Sequence, residues 1–115
     1  MSKTAFTTTG LPSAMADILR RLGDNLTTAR RRRRLRQEDV AKRVGCTRQT
    51  VARMERGDPS VGMGNWLAYV WILQLENEFA DLCNPQRDLK GLWLDKESRA
   101  NLQRVYSKQD NDLDF

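Results

Sequence analysis

Residues Gln37 to Gly57 read QEDVAKRVGCTRQTVARMERG, and the spacing within them decides the fold. Val40, Ala41 and Val44 recur at the intervals of one helix face, so a first helix of about two turns is expected. Gly45 stands where that stripe ends, the place for a left-handed C-terminal cap, which glycine adopts without steric strain. Thr47 is a candidate N-cap, because its hydroxyl can accept a bond from a free amide at the start of a second helix. That helix carries Val51 and Met54 inward and closes at Gly57. Ala41 is small, as a steep crossing of two helices requires. Once the inward positions are assigned, Arg48, Gln49, Thr50 and Arg53 remain for the outer face.

Those outer residues have a particular chemistry. Arginine can bond guanine in two places and glutamine can bond adenine in two places. Arg48, Gln49 and Arg53 are therefore candidates for base edges in the major groove, with Thr50 for a base or a thymine methyl. Gln37 opens the first helix of the pair and is a candidate phosphate ligand through its side chain and the helix N-terminus. Arg36, Thr47 and Arg56 flank the same surface and are candidate phosphate contacts as well.

The charge distribution agrees. The 115 residues carry a formal charge of +5. Between Arg20 and Arg56 there are thirteen basic and four acidic residues, a net of +9. From Glu76 to Phe115 six basic and nine acidic residues give a net of −3. Positive charge concentrated on a pair of helices and the helix before it is the footprint expected of a phosphate-facing surface. The acidic third has the wrong sign for that surface and is expected to serve another partner.

Several function classes drop out. There is no histidine, no phosphate-binding glycine loop and no nucleophile beside a base, so no catalytic constellation is present and an enzyme is not expected. Cys46 and Cys83 do not make a metal cluster, and no metal or other cofactor is expected. Lys3 is followed by threonines and not by an apolar segment, so no secretory leader is read. The longest apolar run, Trp66 to Leu73, is eight residues, against the roughly 20 needed to span a membrane. A cytoplasmic protein with two reduced thiols is expected.

In chain order, residues 1–12 lack periodicity and are expected to be a flexible arm. Ser13 is a candidate cap for a helix traced by Met15, Ile18, Leu19, Leu22, Leu26 and Ala29, with Gly23 a possible break or kink. Gly57, Asp58, Pro59 and Ser60 form a turn. Met63 opens a helix that is apolar nearly all round, which requires cover on more than one side. A second subunit is the natural cover, and Trp66, Tyr69, Ile72 and Phe79 are the candidate dimer interface. Residues 13–84 are thus expected to form the packed domain. Residues 85–115, with Leu92, Trp93 and Leu94 in a row, are a C-terminal tail that pads the dimer or docks a partner.

The residues Gln37, Val40, Ala41, Gly45, Thr47, Val51, Glu55 and Gly57 resemble, in type and spacing, the helix-turn-helix domain of the Cro/C1 (Xre) family of bacterial and phage regulators. The likeness extends back to Leu26 and Arg30, and more loosely forward through Met63 to Leu82. It implies an all-α fold, a five-helix lambda-repressor-like domain with a C-terminal extension. It also implies a partly buried ion pair of Arg30 with Glu55, and a homodimeric repressor on a palindromic double-stranded operator. Gly57 to Val61, the apolar helix, and Phe79 to Leu92 are similar to HipB-like antitoxins, which repress their own operon and bind a HipA-like serine/threonine kinase toxin. Gln74 stands where that family usually has glycine. The alternative is a phage or stand-alone Xre regulator with no toxin partner.

Overall fold

The computed structural model describes residues 10–113, with side chains through residue 108. Most of the expected N-terminal arm, residues 1–9, lies outside the described residues. Six helices are present among those described: α1 (Ser13–Arg32), α2 (Gln37–Val44), α3 (Arg48–Glu55), α4 (Met63–Ile72), α5 (Glu76–Ala80) and α6 (Leu89–Leu113). The chain divides into two compact units, one ending at Ala80 and one beginning at Asp81. The fold is all-α, with five helices in the first unit and a sixth in the extension.

The first unit has one core. Leu26 of α1, Val40 and Ala41 of α2, Val51 and Met54 of α3, and Trp66, Tyr69, Val70 and Leu73 in and beside α4 are buried together with Val61. α2 packs on α3 and α4, and α1 packs on α3. Ala41 sits at the α2 crossing with 5% exposure, where a larger side chain would hold the helices apart.

Gly23 does not break α1, which runs unbroken for 20 residues. The glycine is instead a point of close approach. A Cβ there would fall 2.4 Å from the carbonyl oxygen of Glu55 and 2.8 Å from that of Met54. Gly57 makes the reciprocal contact, since a Cβ there would lie 2.7 Å from the backbone of Leu19 and Arg20. Two glycines thus let the end of α3 rest against the backbone of α1. Ser13 is not the cap expected of it: Pro12 holds that position and Ser13 is the first helical residue.

Four helices end in one device. The left-handed residues are Arg34 (φ 56°) after α1, Gly45 (83°) after α2, Gly57 (77°) after α3 and Gln74 (62°) after α4. At Gln74 the amides turn back to satisfy the last carbonyls, Gln74 N to Trp71 O at 2.9 Å and Leu75 N to Val70 O at 3.0 Å. Arg34 and Leu35 do the same to Arg31 and Arg30, at 2.9 and 3.2 Å. Glycine fits such a position without strain, whereas a side chain there costs about 1 kcal/mol or more.

The expected dimer residues need correction. Tyr69 is fully buried and Trp66 nearly so, the latter donating its indole N–H to the Val61 carbonyl at 3.1 Å. Ile72 and Phe79 are half-buried against the same core. Helical spacing allowed two inward faces for α4, and the chain's own core took the one holding Trp66, Tyr69, Val70 and Leu73. The side left exposed carries Met63, Leu67 and Trp71.

Two substitutions should move stability in opposite directions. Alanine is normally favoured over glycine inside a helix by about 1 kcal/mol. Gly23→Ala should nevertheless lower stability by about 2 kcal/mol, because the new methyl overpacks a backbone contact that has no room to relax. Gln74→Gly should raise it by about 1 kcal/mol by relieving the left-handed strain. Thermal unfolding followed by circular dichroism checks both signs, and a stabilised Gly23→Ala would show that α1 and α3 are less tightly apposed.

Candidate nucleic-acid interface

The surface is positioned from the inside by Glu55, the last residue of α3. Its carboxylate receives Arg30 twice, Nε to Oε2 at 2.8 Å and Nη2 to Oε1 at 3.0 Å. Tyr69 Oη donates to Oε2 at 2.5 Å and Gln37 Nε2 to Oε1 at 3.1 Å. Thr27 Oγ1 lies 3.0 Å from Oε1 and 2.9 Å from the Gly23 carbonyl, and its single proton serves one of them at a time. The Arg30 and Glu55 side chains are 9% and 6% exposed. Arg30 also donates Nη1 to the Leu35 carbonyl at 2.9 Å, fixing the chain between α1 and α2.

Burial alone would push the Glu55 carboxyl up, but the bonds from Arg30, Tyr69, Gln37 and Thr27 outweigh it and hold the group below the usual carboxylate range. The Glu55 bond raises Arg30 above its ordinary value, against the opposing effect of burial. Burial first, and Glu55 next, push the Tyr69 phenol up. The trio is therefore a carboxylate, a guanidinium and a neutral phenol at every physiological pH.

α3 turns its opposite side to solvent. At about 100° per residue, Arg48, Gln49, Ala52, Arg53 and Arg56 share the side facing away from buried Val51 and Met54. Arg48, Gln49 and Arg56 are exposed. Thr50 is on neither face. It is half-buried, and its amide and hydroxyl both meet Thr47 Oγ1, at 3.1 and 3.0 Å, completing the cap of α3. Thr50 is therefore committed to the cap, at the margin of the surface that Arg48 and Gln49 form.

Arg53 also departs from expectation. Its Nε donates to Asp58 Oδ2 at 2.9 Å and its Nη2 to Ser60 Oγ at 2.5 Å. Asp58 in turn accepts from the Ser60 hydroxyl and amide, at 2.7 and 2.9 Å. Those two bonds, with Arg53 after them, hold the Asp58 carboxyl down at about 2. Arg53 is thus clasped by the loop after α3, a competition with base reading that residue type alone does not reveal.

Beside α3 lies a polar basin of about 450 Å³ lined by Arg30, Arg31, Arg36, Gln37, Glu38 and Arg48. It opens at the N-terminus of α2, where free amides and the helix dipole favour an anion. Asp39 caps that end by accepting the Arg36 amide at 2.8 Å, a bond that chiefly lowers its pKa. The Gln37 side chain turns inward: its amide nitrogen reaches Glu55, and its oxygen faces Arg48 Nε at 3.4 Å. The side chain expected to bond phosphate is instead a bridge between Glu55 and Arg48. Arg31 and Ala52 were not among the candidates named from the sequence. Only the helix geometry places them on this surface.

A family model described as a helix-turn-helix domain matches residues 21–78, half of the chain. The chain belongs to the helix-turn-helix domain family. None of the curated proteins matches it. This helix-turn-helix, formed by α2 and α3 within the all-α unit, fits the Cro/C1 type. The DNA binding and transcription regulation of helix-turn-helix domains extend to this chain at that level. Among the described residues, no helix is long and apolar enough to cross a membrane.

The depressed Glu55 carboxyl gives an acid limb to stability. A group whose folded pKa lies below its unfolded value contributes fully above the unfolded value, about 4.3 for glutamate, and loses that contribution as pH falls through the folded pKa. Glu55→Gln strands Arg30 and should cost about 3–5 kcal/mol at neutral pH. Its stability should then fall less steeply than wild type between about pH 5 and pH 2. Urea unfolding across that range measures both, and parallel curves would remove Glu55 from the acid limb.

Proposed function

We propose that the chain is a sequence-specific repressor that binds a palindromic operator as a homodimer, with α3 in the major groove. The observation that supports this reading is the adjacency of the exposed α3 face to the arginine-lined basin at the α2 N-terminus. Base reading falls to Arg48 and Gln49, each able to make a two-point contact. Ala52 between them and Arg56 leaves room for a thymine methyl. Arg31, Arg36, Arg56, Thr47 and the amides at the start of α2 meet phosphates, and these contacts set register without reading sequence. Thr50 and Arg53 flank the reading residues, Thr50 engaged at the cap and Arg53 held by Asp58 and Ser60. In a dimer the two α3 helices stand about 34 Å apart, one turn of DNA, so both enter the groove from one side. Its work is binding, not turnover.

A second reading concerns the extension. We infer an antitoxin that binds a HipA-like serine/threonine kinase toxin, on the resemblance of Phe79 to Leu92 and on the exposure of Leu92, Trp93 and Leu94 along α6. Trp is enriched among interface hot spots, so Trp93→Ala should weaken binding to such a kinase and leave operator binding within a few-fold of intact protein. Titration of this variant and the intact protein against operator and kinase tests this. An unchanged kinase affinity would remove Trp93 from the contact, and no kinase binding by the intact protein would leave a stand-alone Xre regulator as the reading.

The DNA-reading assignment is tested by selecting sites from random DNA and then titrating substituted proteins. Arg48→Ala or Gln49→Ala should cost about 1–3 kcal/mol and relax one base position per half-site. Arg36→Ala should weaken every sequence alike and reduce the salt slope by about 1. Arg53→Ala should leave the base preference unchanged. Loss of base preference from Arg36→Ala or Arg53→Ala equal to that from Gln49→Ala would show that the reading face is misassigned.

A further inference from the structure

Arg53 stands one turn after Gln49 on α3, since residues four apart share a helix face. One edge of its guanidinium is nonetheless engaged, and the residues that engage it close a ring. Arg53 Nε donates to Asp58 Oδ2 at 2.9 Å and Nη2 to Ser60 Oγ at 2.5 Å. The Ser60 hydroxyl donates in turn to Asp58 Oδ1 at 2.7 Å, and the Ser60 amide to the same oxygen at 2.9 Å. Both carboxylate oxygens and the one hydroxyl proton are thus in use. A backbone bond joins the same pair, Asp58 N to Arg53 O at 3.0 Å.

A surface ion pair ordinarily contributes little, because two mobile side chains must be held in one geometry. Here the fold holds one partner in place. Gly57, just before Asp58, packs against the backbone of Leu19 and Arg20. Pro59, between Asp58 and Ser60, has its φ fixed by its ring. Val61, just after Ser60, is buried, and its carbonyl accepts the Trp66 indole N–H at 3.1 Å. Asp58 and Ser60 are therefore short side chains on a loop pinned at each end, and only Arg53 has to be immobilised. The nearness of DNA favours the ring further. Were Arg53 to leave it, the Asp58 carboxylate would face the phosphates unpaired, like charge against like.

We propose that Asp58 and Ser60 set the base preference of this protein through Arg53, by withholding from the major groove a guanidinium that would otherwise read guanine beside Gln49. They are positioning residues, and the operator is defined partly by the base they leave unread. The inference rests on the DNA-reading assignment above and deepens it.

Selection of binding sites from random double-stranded DNA by the full chain tests it. Asp58→Asn keeps a carbonyl oxygen for the Ser60 amide but turns an amide nitrogen toward Arg53, so the ring opens while the loop keeps its bond. This variant should add a guanine preference of about fivefold or more at one position per half-site, next to the one that depends on Gln49. Asp58→Ser, whose hydroxyl can still accept the Ser60 amide, should add the same position. Arg53→Ala combined with either variant should abolish the new preference, whereas Arg53→Ala alone should leave the wild-type site unchanged. Circular dichroism confirms the fold of each. An unchanged site for both Asp58 variants would overturn the inference, as would a new preference that survives Arg53→Ala. So would tighter binding to all sequences alike with a steeper salt dependence, which would make the released Arg53 a phosphate contact. A wild-type site that changes on Arg53→Ala would show that the ring opens on DNA and would also overturn it. Each of these failures leaves the DNA-reading assignment standing, whereas wild-type protein that selects no sequence ends that assignment and this inference with it.

Discussion

A buried carboxylate at the end of α3 joins the four longer helices of the first unit. Glu55 receives donors from α1 through Arg30 and Thr27, from α2 through Gln37, and from α4 through Tyr69. A carboxylate at a helix C-terminus opposes the helix dipole, and taken from water it would rather be neutral. It stays charged because Arg30 meets it with a two-pronged fork and the remaining lone pairs are also bonded. Removing any one donor leaves a partly satisfied network, which is worse than an apolar core. The same network reaches outward, since Gln37 touches Glu55 with one end and faces Arg48 with the other. The core thereby constrains the first side chain of the reading helix.

What could be read from the sequence divides along the range of the interactions. The caps at Gly45 and Thr47, the inward positions Val40, Ala41, Val51 and Met54, and the two helices they define are local matters, so spacing and residue type locate them. Gly23 was ambiguous because a glycine inside a helix signals either a break or a close contact. The deciding partner, the carbonyl of Glu55, lies 32 residues away in sequence. Tyr69 looked like interface because apolar periodicity shows how many faces a helix has and not what fills each of them. Its hydroxyl was the missed clue: a buried phenol needs a partner, and Glu55 supplies it.

The site was legible in kind and less so in detail. Helix and residue type identify an outer α3 face rich in arginine and glutamine, but they do not tell a free arginine from a committed one. Arg48 and Arg53 read alike in the sequence. Arg48 faces the open basin, whereas Arg53 is held by Asp58 and Ser60 five and seven residues on. Asp58 was read as a turn residue, which it is, and its carboxylate also neutralises the nearest arginine. Thr50 is a further case, since its hydroxyl is engaged with Thr47 at the cap, a commitment that residue type does not reveal.

The second unit poses a different packing problem. Along α6, Leu89, Leu92 and Trp93 lie on one side, as spacings of three and four require. Leu102, Val105 and Tyr106 form a second stripe by the same rule. At about 100° per residue the second stripe lies roughly opposite the first, and all six side chains are exposed. A helix whose apolar stripe kept to one side could be covered by a single flat groove. Here each half of the helix must be covered from its own side, so whatever covers the N-terminal stripe leaves the C-terminal one in water. Two surfaces, or one that wraps, are needed to bury both. That requirement distinguishes α6 from an amphipathic helix meant for a single groove.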